Sequence, residues 1–98
     1  MSLAETTQKI QALSGSGDSL GSTVKFTFEE GVIHIDGHGD SNIVSNDDKA
    51  ADCTINISIA DFNDMLTGDL DPMGAFMGGK MTLDGDMGVA MKLQSIFG

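Results

Sequence analysis

The stretch from Asp86 to Phe97 constrains this chain more than any other. It reads as one closing helix. Asp86 stands where an N-cap belongs, because a carboxylate there accepts hydrogen bonds from the first free amides and faces the positive dipole end. At about 100° per residue, Gly88, Lys92 and Ser95 fall on one narrow polar stripe. The remaining arc carries Met87, Val89, Ala90, Met91, Leu93, Ile96 and Phe97. A surface helix ordinarily shows a narrower apolar stripe. This helix therefore has to be covered on two sides: by a sheet, and by a neighbouring helix, a partner or a bound apolar ligand. Gln94 is the exception, set inside the apolar arc between Ala90 and Met87.

The preceding residues have to supply those covers. Leu3, Thr7, Ile10 and Leu13 recur at helical spacing and predict a short amphipathic helix over 3–13. Residues 14–19, Ser-Gly-Ser-Gly-Asp-Ser, are a turn or linker. Val24-Lys25-Phe26-Thr27-Phe28 alternates as a strand, Glu29-Glu30-Gly31 turns it, and Val32 to Asp36 returns as a hairpin. Ile33 and Ile35 take its inner face, His34 and Asp36 the outer one. Residues 42–45 suggest a short third strand, and Cys53-Thr54-Ile55-Asn56-Ile57 a fourth with Cys53, Ile55 and Ile57 inward. Ser58-Ile59-Ala60-Asp61 fits a capping box, followed by Phe62, Met65 and Leu66 on one helical face and Gly68 as C-cap. Asp71-Pro72 opens another short helix carrying Met73, Phe76 and Met77. Lys80 to Asp84 is the last strand, with Met81 and Leu83 inward. Strands cluster early and helices late, so the fold class is α+β: a mostly antiparallel sheet with helices on one face, within a single domain spanning residues 1–98.

Charge narrows the function. Fifteen acidic residues face five basic ones, a net charge of −10. All five are Lys, scattered along the chain, so a nucleic-acid role is excluded from the reading, and docking to an anionic membrane is disfavoured. No run approaches the roughly 18 apolar residues of a membrane span. The N-terminus lacks the basic and apolar regions of a signal peptide, and Ser95-Ile96-Phe97-Gly98 is not a peroxisomal address. A soluble cytoplasmic protein is expected. One cysteine, Cys53, leaves no intramolecular disulfide.

Few residues offer chemistry. His34, Asp36 and His38 alternate at i, i+2, i+4 and would face one way if the strand ran that far, a three-ligand metal arrangement. Gly37 and Gly39 break the strand first, which favours a solvated outer face. Asp69-Leu70-Asp71 begins like a calcium loop but has Met73 and Lys80 where oxygen ligands are needed. Cys53, inward on an apolar strand, reads as a small buried hydrophobe. Nucleophile-elbow and phosphate-loop patterns are absent. Neither catalytic residues, a metal nor a cofactor is expected. The methionines say more: Met65, Met73, Met77, Met81, Met87 and Met91 all lie in the C-terminal half, each on an apolar face. Such surfaces adapt to variable apolar shapes. Either they fill a small core or they line a ligand cavity.

Ala51-Asp52-Cys53-Thr54-Ile55, Asp61-Phe62, Leu66-Thr67-Gly68, Asp71-Pro72, Ala75-Phe76, Gly79-Lys80 and the run Gly85 to Gln94 closely resemble the sterol carrier protein-2, or non-specific lipid-transfer protein, family. The resemblance is specific from about residue 46 to 97. It implies a five-stranded sheet covered by helices, with an apolar tunnel between sheet and C-terminal helix that holds fatty acids, fatty acyl-CoA or sterols for transfer or presentation. It also implies that Gln94 lies near the ligand's polar end. The chain stops soon after the closing helix, shows no peroxisomal signal and is more acidic and poorer in Lys than animal members, and its short N-terminus suggests a stand-alone bacterial-type version. The candidate lipid-binding residues are Phe62, Met65, Leu66, Phe76, Met77, Met81, Met87, Met91, Gln94 and Phe97. Expected partners are a small lipid ligand and a transient membrane contact, with the chain a monomer or homodimer. The alternative is an interaction module whose last helix packs on a second copy or a partner enzyme.

Overall fold

A computed structural model describes residues 2–15 and 20–97. In chain order these form α1 (Leu3–Gly15), β1 (Thr23–Phe28), β2 (Gly31–Asp36), β3 (Ile43–Ser45), β4 (Cys53–Ile57), α2 (Ile59–Thr67), α3 (Pro72–Met77), β5 (Met81–Gly85) and α4 (Met87–Phe97). The strands make one five-stranded sheet in the order β3-β2-β1-β4-β5. Three neighbouring pairs are antiparallel, as expected, and β4 lies parallel to β1, so the sheet is mixed.

Alternation in β1 decides which face is buried. Val24 sits opposite Ile35 on β2 and Cys53 on β4, and Phe26 opposite Ile33 and Ile55. These side chains and Phe28 are buried together, joined by Ile10 of α1, Ile57, Ile59, Phe62, Ala75, Met81 and Val89. Cross-strand apolar pairs of this kind are the unit of sheet stability.

Helix α1 buries Thr6, Thr7 and Ser14 beside Ile10. Each hydroxyl donates to a carbonyl four residues back, at 2.9, 2.8 and 2.7 Å. Those bonds satisfy the polar groups and make their burial tolerable. Two asparagines then fasten α1 to the sheet's β3 edge. Asn42 Nδ2 donates to Ser14 O while Asn42 Oδ1 accepts from Leu20 N. Asn46 Nδ2 donates both to Thr7 Oγ1 and to Val32 O.

A parallel partner for β1 requires a crossover. From β3 at one edge, residues 46–52 pass over β2 and β1 on the face away from the helices. Lys25 Nζ meets Asp48 Oδ1 there at 2.9 Å, and His34 Nε2 lies 3.2 Å from Ala50 O. This corrects the expectation of a solvated outer face: His34 is 3 % exposed because the crossover roofs it.

The crossover ends in a knot at Asp52. Its N–H donates to Thr23 O and Thr23 Oγ1, and its carboxylate accepts from Thr23 N at 3.1 Å. Its carbonyl accepts from Asp86 N at 2.8 Å. The start of β1, the start of β4 and the entry to α4 thus meet at one residue. Gly85, opposite Cys53, runs at φ +116° against that carbonyl, and a Cβ there would lie 2.2 Å from Asp52 O. Both the backbone angle and the lack of space require glycine.

Gly85→Ala should therefore cost about 2–4 kcal/mol in urea unfolding. Gly68→Ala, with a left-handed backbone but open space around it, should cost only about 1–2 kcal/mol. Equal losses would mean that the contact with Asp52 is unimportant.

Candidate functional site: the apolar surface of the C-terminal half

Helix α2 starts at Ser58, whose Oγ accepts from Asp61 N at 3.1 Å, and stops at Gly68 in the left-handed region. It delivers Phe62 into the interior, fully buried. The Phe62 ring lies 5.0 Å from Phe26 and 5.7 Å from Phe28, tilted at 59° and 64°. Tilted aromatic pairs at this distance are favourable beyond the area that they bury. Met65 and Leu66, next on the helix, are half-buried against the core.

Helix α3 begins at Asp71, whose Oδ2 accepts from Gly74 N at 2.9 Å, with Pro72 in its first turn. Ala75 is its anchor, wholly buried, and the helix packs on β5. Its large side chains face the other way: Met73 is 59 % exposed, Phe76 40 % and Met77 80 %. On β5, Met81 is buried and Leu83 half-buried.

Helix α4 is capped as expected, with Asp86 Oδ1 accepting from Gly88 N at 2.8 Å. It packs on β1, β4, β5 and α1. Val89 is buried and Ala90 half-buried, while Met87 and Met91, one turn apart, are 50 % and 71 % exposed. Among its described side chains, Val89 and Ala90 thus face the protein while Met87 and Met91 are left open.

Eight of the ten candidate residues occupy three settings. Phe62 and Met81 are interior, and Met65 and Leu66 form the edge of the core. Phe76, Met77, Met87 and Met91 face outward. The side chains of Gln94 and Phe97 lie outside the described residues, although their backbone continues α4. Sequence reasoning did not place Phe26 and Phe28 beside Phe62. The signal was the alternation of β1, which set both on the inward face.

Elsewhere, polar groups serve the fold. Beyond its contact with Ala50, His34 is separated from His38 by a turn in which Asp36 Oδ1 accepts from His38 N at 3.1 Å. Asp69 accepts from Thr67 Oγ1 at 3.2 Å, and Asp71 caps α3. Among the described residues, no group of three or more His, Cys, Asp and Glu converges to hold a metal. Nor, among them, is any helix long and apolar enough to cross a membrane. Cys53 is buried and free. Burial pushes its thiol above the usual 9.0, and Asp86 and Asp84 add to the push.

The model of the SCP-2 sterol transfer family matches residues 4–98. The chain belongs to that family. Sterol carrier protein 2 of Homo sapiens is 44 % identical over 59 residues, 60 % of this chain and 11 % of that protein. Hydroxysteroid dehydrogenase-like protein 2 of Xenopus tropicalis is 46 % identical over 48 residues, 49 % of this chain and 12 % of that one. The match thus spans only about a tenth of these relatives' length. Among solved structures, the sterol carrier protein domain 2 of Helicoverpa armigera superposes with a TM-score of 0.79 at 23 % identity, covering 94 % of this chain and 82 % of that one. Palmitated SCP2L2 from Aedes aegypti gives 0.71 at 22 %, covering 99 % and 95 %. The shared fold covers nearly the whole chain, more than the stretch over which the curated relatives align.

The Cys53 thiol carries a pH signature. Folded protein holds that proton more tightly than unfolded chain, so its contribution to stability is complete below pH 9.0 and is lost as pH rises through the elevated value. Between about pH 8 and about pH 10.5, wild type should lose more stability in urea titrations than Cys53→Ala. Parallel losses would show that the thiol stays neutral in both states.

Proposed function

We propose that this chain binds long-chain lipids, fatty acid, fatty acyl-CoA or sterol-like, and transfers or presents them without performing chemistry on them. Residues 1–98 act as one lipid-binding domain inside the cell. The reading rests on membership in a sterol transfer family, and one observation carries it: α4 lies on the sheet yet leaves Met87 and Met91 uncovered. The chain's own side chains do not finish covering this helix, and an acyl chain has the chemistry to do so. In this account Phe62 and Met81 are the floor of the lipid site, Met65 and Leu66 its rim, and Met87, Met91, Gln94 and Phe97 its α4 wall. That a fold neighbour is described as palmitated supports a ligand of this class. Burying about ten methylenes contributes up to roughly 8 kcal/mol before losses, enough for micromolar affinity without a charged contact.

A second reading has its own observation. A similar fold makes up 13 % of a sec-alkylsulfatase from Pseudomonas, and one curated relative is a dehydrogenase-like protein. Domains of this kind occur within enzyme-sized chains, so α4 would then pack on a second copy or a partner enzyme. Light scattering separates the readings, because only this one expects a dimer that forms without lipid.

Titration with a fluorescent fatty acid should give saturable binding by the wild-type chain. Met91→Glu should weaken it at least about tenfold while leaving the melting temperature nearly unchanged, since Met91 is exposed. Gln94→Leu should keep the fold and shift preference between carboxylate-bearing and hydroxyl-bearing lipids. Binding of no acyl chain and no sterol would rule out the lipid site.

A further inference from the structure

The stretch from Pro72 to Gly79 carries no charge. Within it, Ala75 is the one buried side chain among those described, and Asp71 caps the helix. Met73, Phe76 and Met77 sit three and four residues apart on one helical face, and all three are turned away from the core. Lys80, exposed, stands at the end of this run. A lysine stem can lie along an apolar surface while its ammonium reaches the phosphate level of a bilayer. Exposed apolar clusters of this kind mark contact surfaces.

Two features decide what the contact is. Three side chains on a six-residue helix present roughly 300–500 Å² of apolar surface, well below the about 800 Å² per partner of a stable interface. A second copy would be held too weakly. Charge excludes an anionic bilayer: the chain carries −10, and Asp69 and Asp71 flank the tip. A net-neutral, zwitterionic surface meets neither obstacle. Shallow insertion of a few apolar side chains suits reversible contact, which is what a carrier needs.

We infer that α3 is a docking tip for zwitterionic lipid surfaces, with Phe76 and Met77 entering the headgroup–acyl boundary and Lys80 at the phosphates. The inference rests on the lipid-carrier reading for its purpose, but the surface stands on its own geometry. Flotation with phosphatidylcholine vesicles tests it, using the full chain. Wild type should float with them, little affected by raising salt from about 0.1 to about 0.5 M, and adding phosphatidylserine should reduce the floated fraction. Met77→Asp should lower flotation at least about tenfold and slow fatty-acid transfer between vesicles. Because Met77 is 80 % exposed, the variant should keep its melting temperature; Phe76→Ser serves as a second probe. Unchanged flotation of both variants would overturn the inference. So would binding that grows with phosphatidylserine and collapses in salt, or a wild-type dimer that Met77→Asp dissociates. Loss of fatty-acid binding by wild type alone would instead count against the carrier reading, leaving the docking result intact.

Discussion

The backbone of Asp52 is the joint on which the architecture turns. Its amide and carboxylate hold Thr23 at the head of β1, and its carbonyl holds Asp86 at the head of α4. A mixed sheet needs such a device. β4 must leave a crossover that has no helix to stiffen it and enter the sheet in register beside β1. One residue bonded in three directions fixes that entry. It fixes the entry to α4 at the same time, through the main-chain hydrogen bond from Asp86 N to Asp52 O. A helix positioned this way can leave part of its surface unfilled.

Filling is where the two halves of the molecule differ. The inner face of the sheet and α1 are closed apart from Ile43 at the β3 edge: aromatic and branched residues pack on that face, and the buried hydroxyls of α1 each find a carbonyl. The asparagines at 42 and 46 fasten that closed half together. The C-terminal helices are open. Among the described side chains, Ala75 anchors α3 and Val89 anchors α4, with Met73, Met77, Met87 and Met91 outward. Methionine has the flexibility and polarizability to meet variable apolar shapes. A closed half therefore carries an open one, which suits the lipid-carrier role proposed above.

Much of this was legible in the residues. Period-two alternation in 24–28 and 53–57, the Ser58 and Asp71 caps and the Gly68 stop all appear in place, because each depends on neighbours in sequence. What was not legible depends on residues far apart. The parallel pairing of β4 with β1 cannot be read from either strand. Nor can the roof over His34, which turned an expected solvated face into a buried one. The methionines were legible as apolar but not as outward-facing: helical spacing shows that Met73 and Met77 share a face, and only tertiary placement shows that the face is open. Gln94 stood out on the wheel as a polar group in an apolar arc, and its role rests on the family resemblance.

The central claim is that the open apolar surface of the second half exists to hold a lipid chain. Native mass spectrometry of the 98-residue chain, isolated from cells under mild conditions, tests it most directly. The account predicts a species heavier than the polypeptide by one lipid, converting to the bare chain on delipidation and returning when fatty acid is added back. A single mass equal to the polypeptide, unchanged by incubation with fatty acids or sterols, would contradict it.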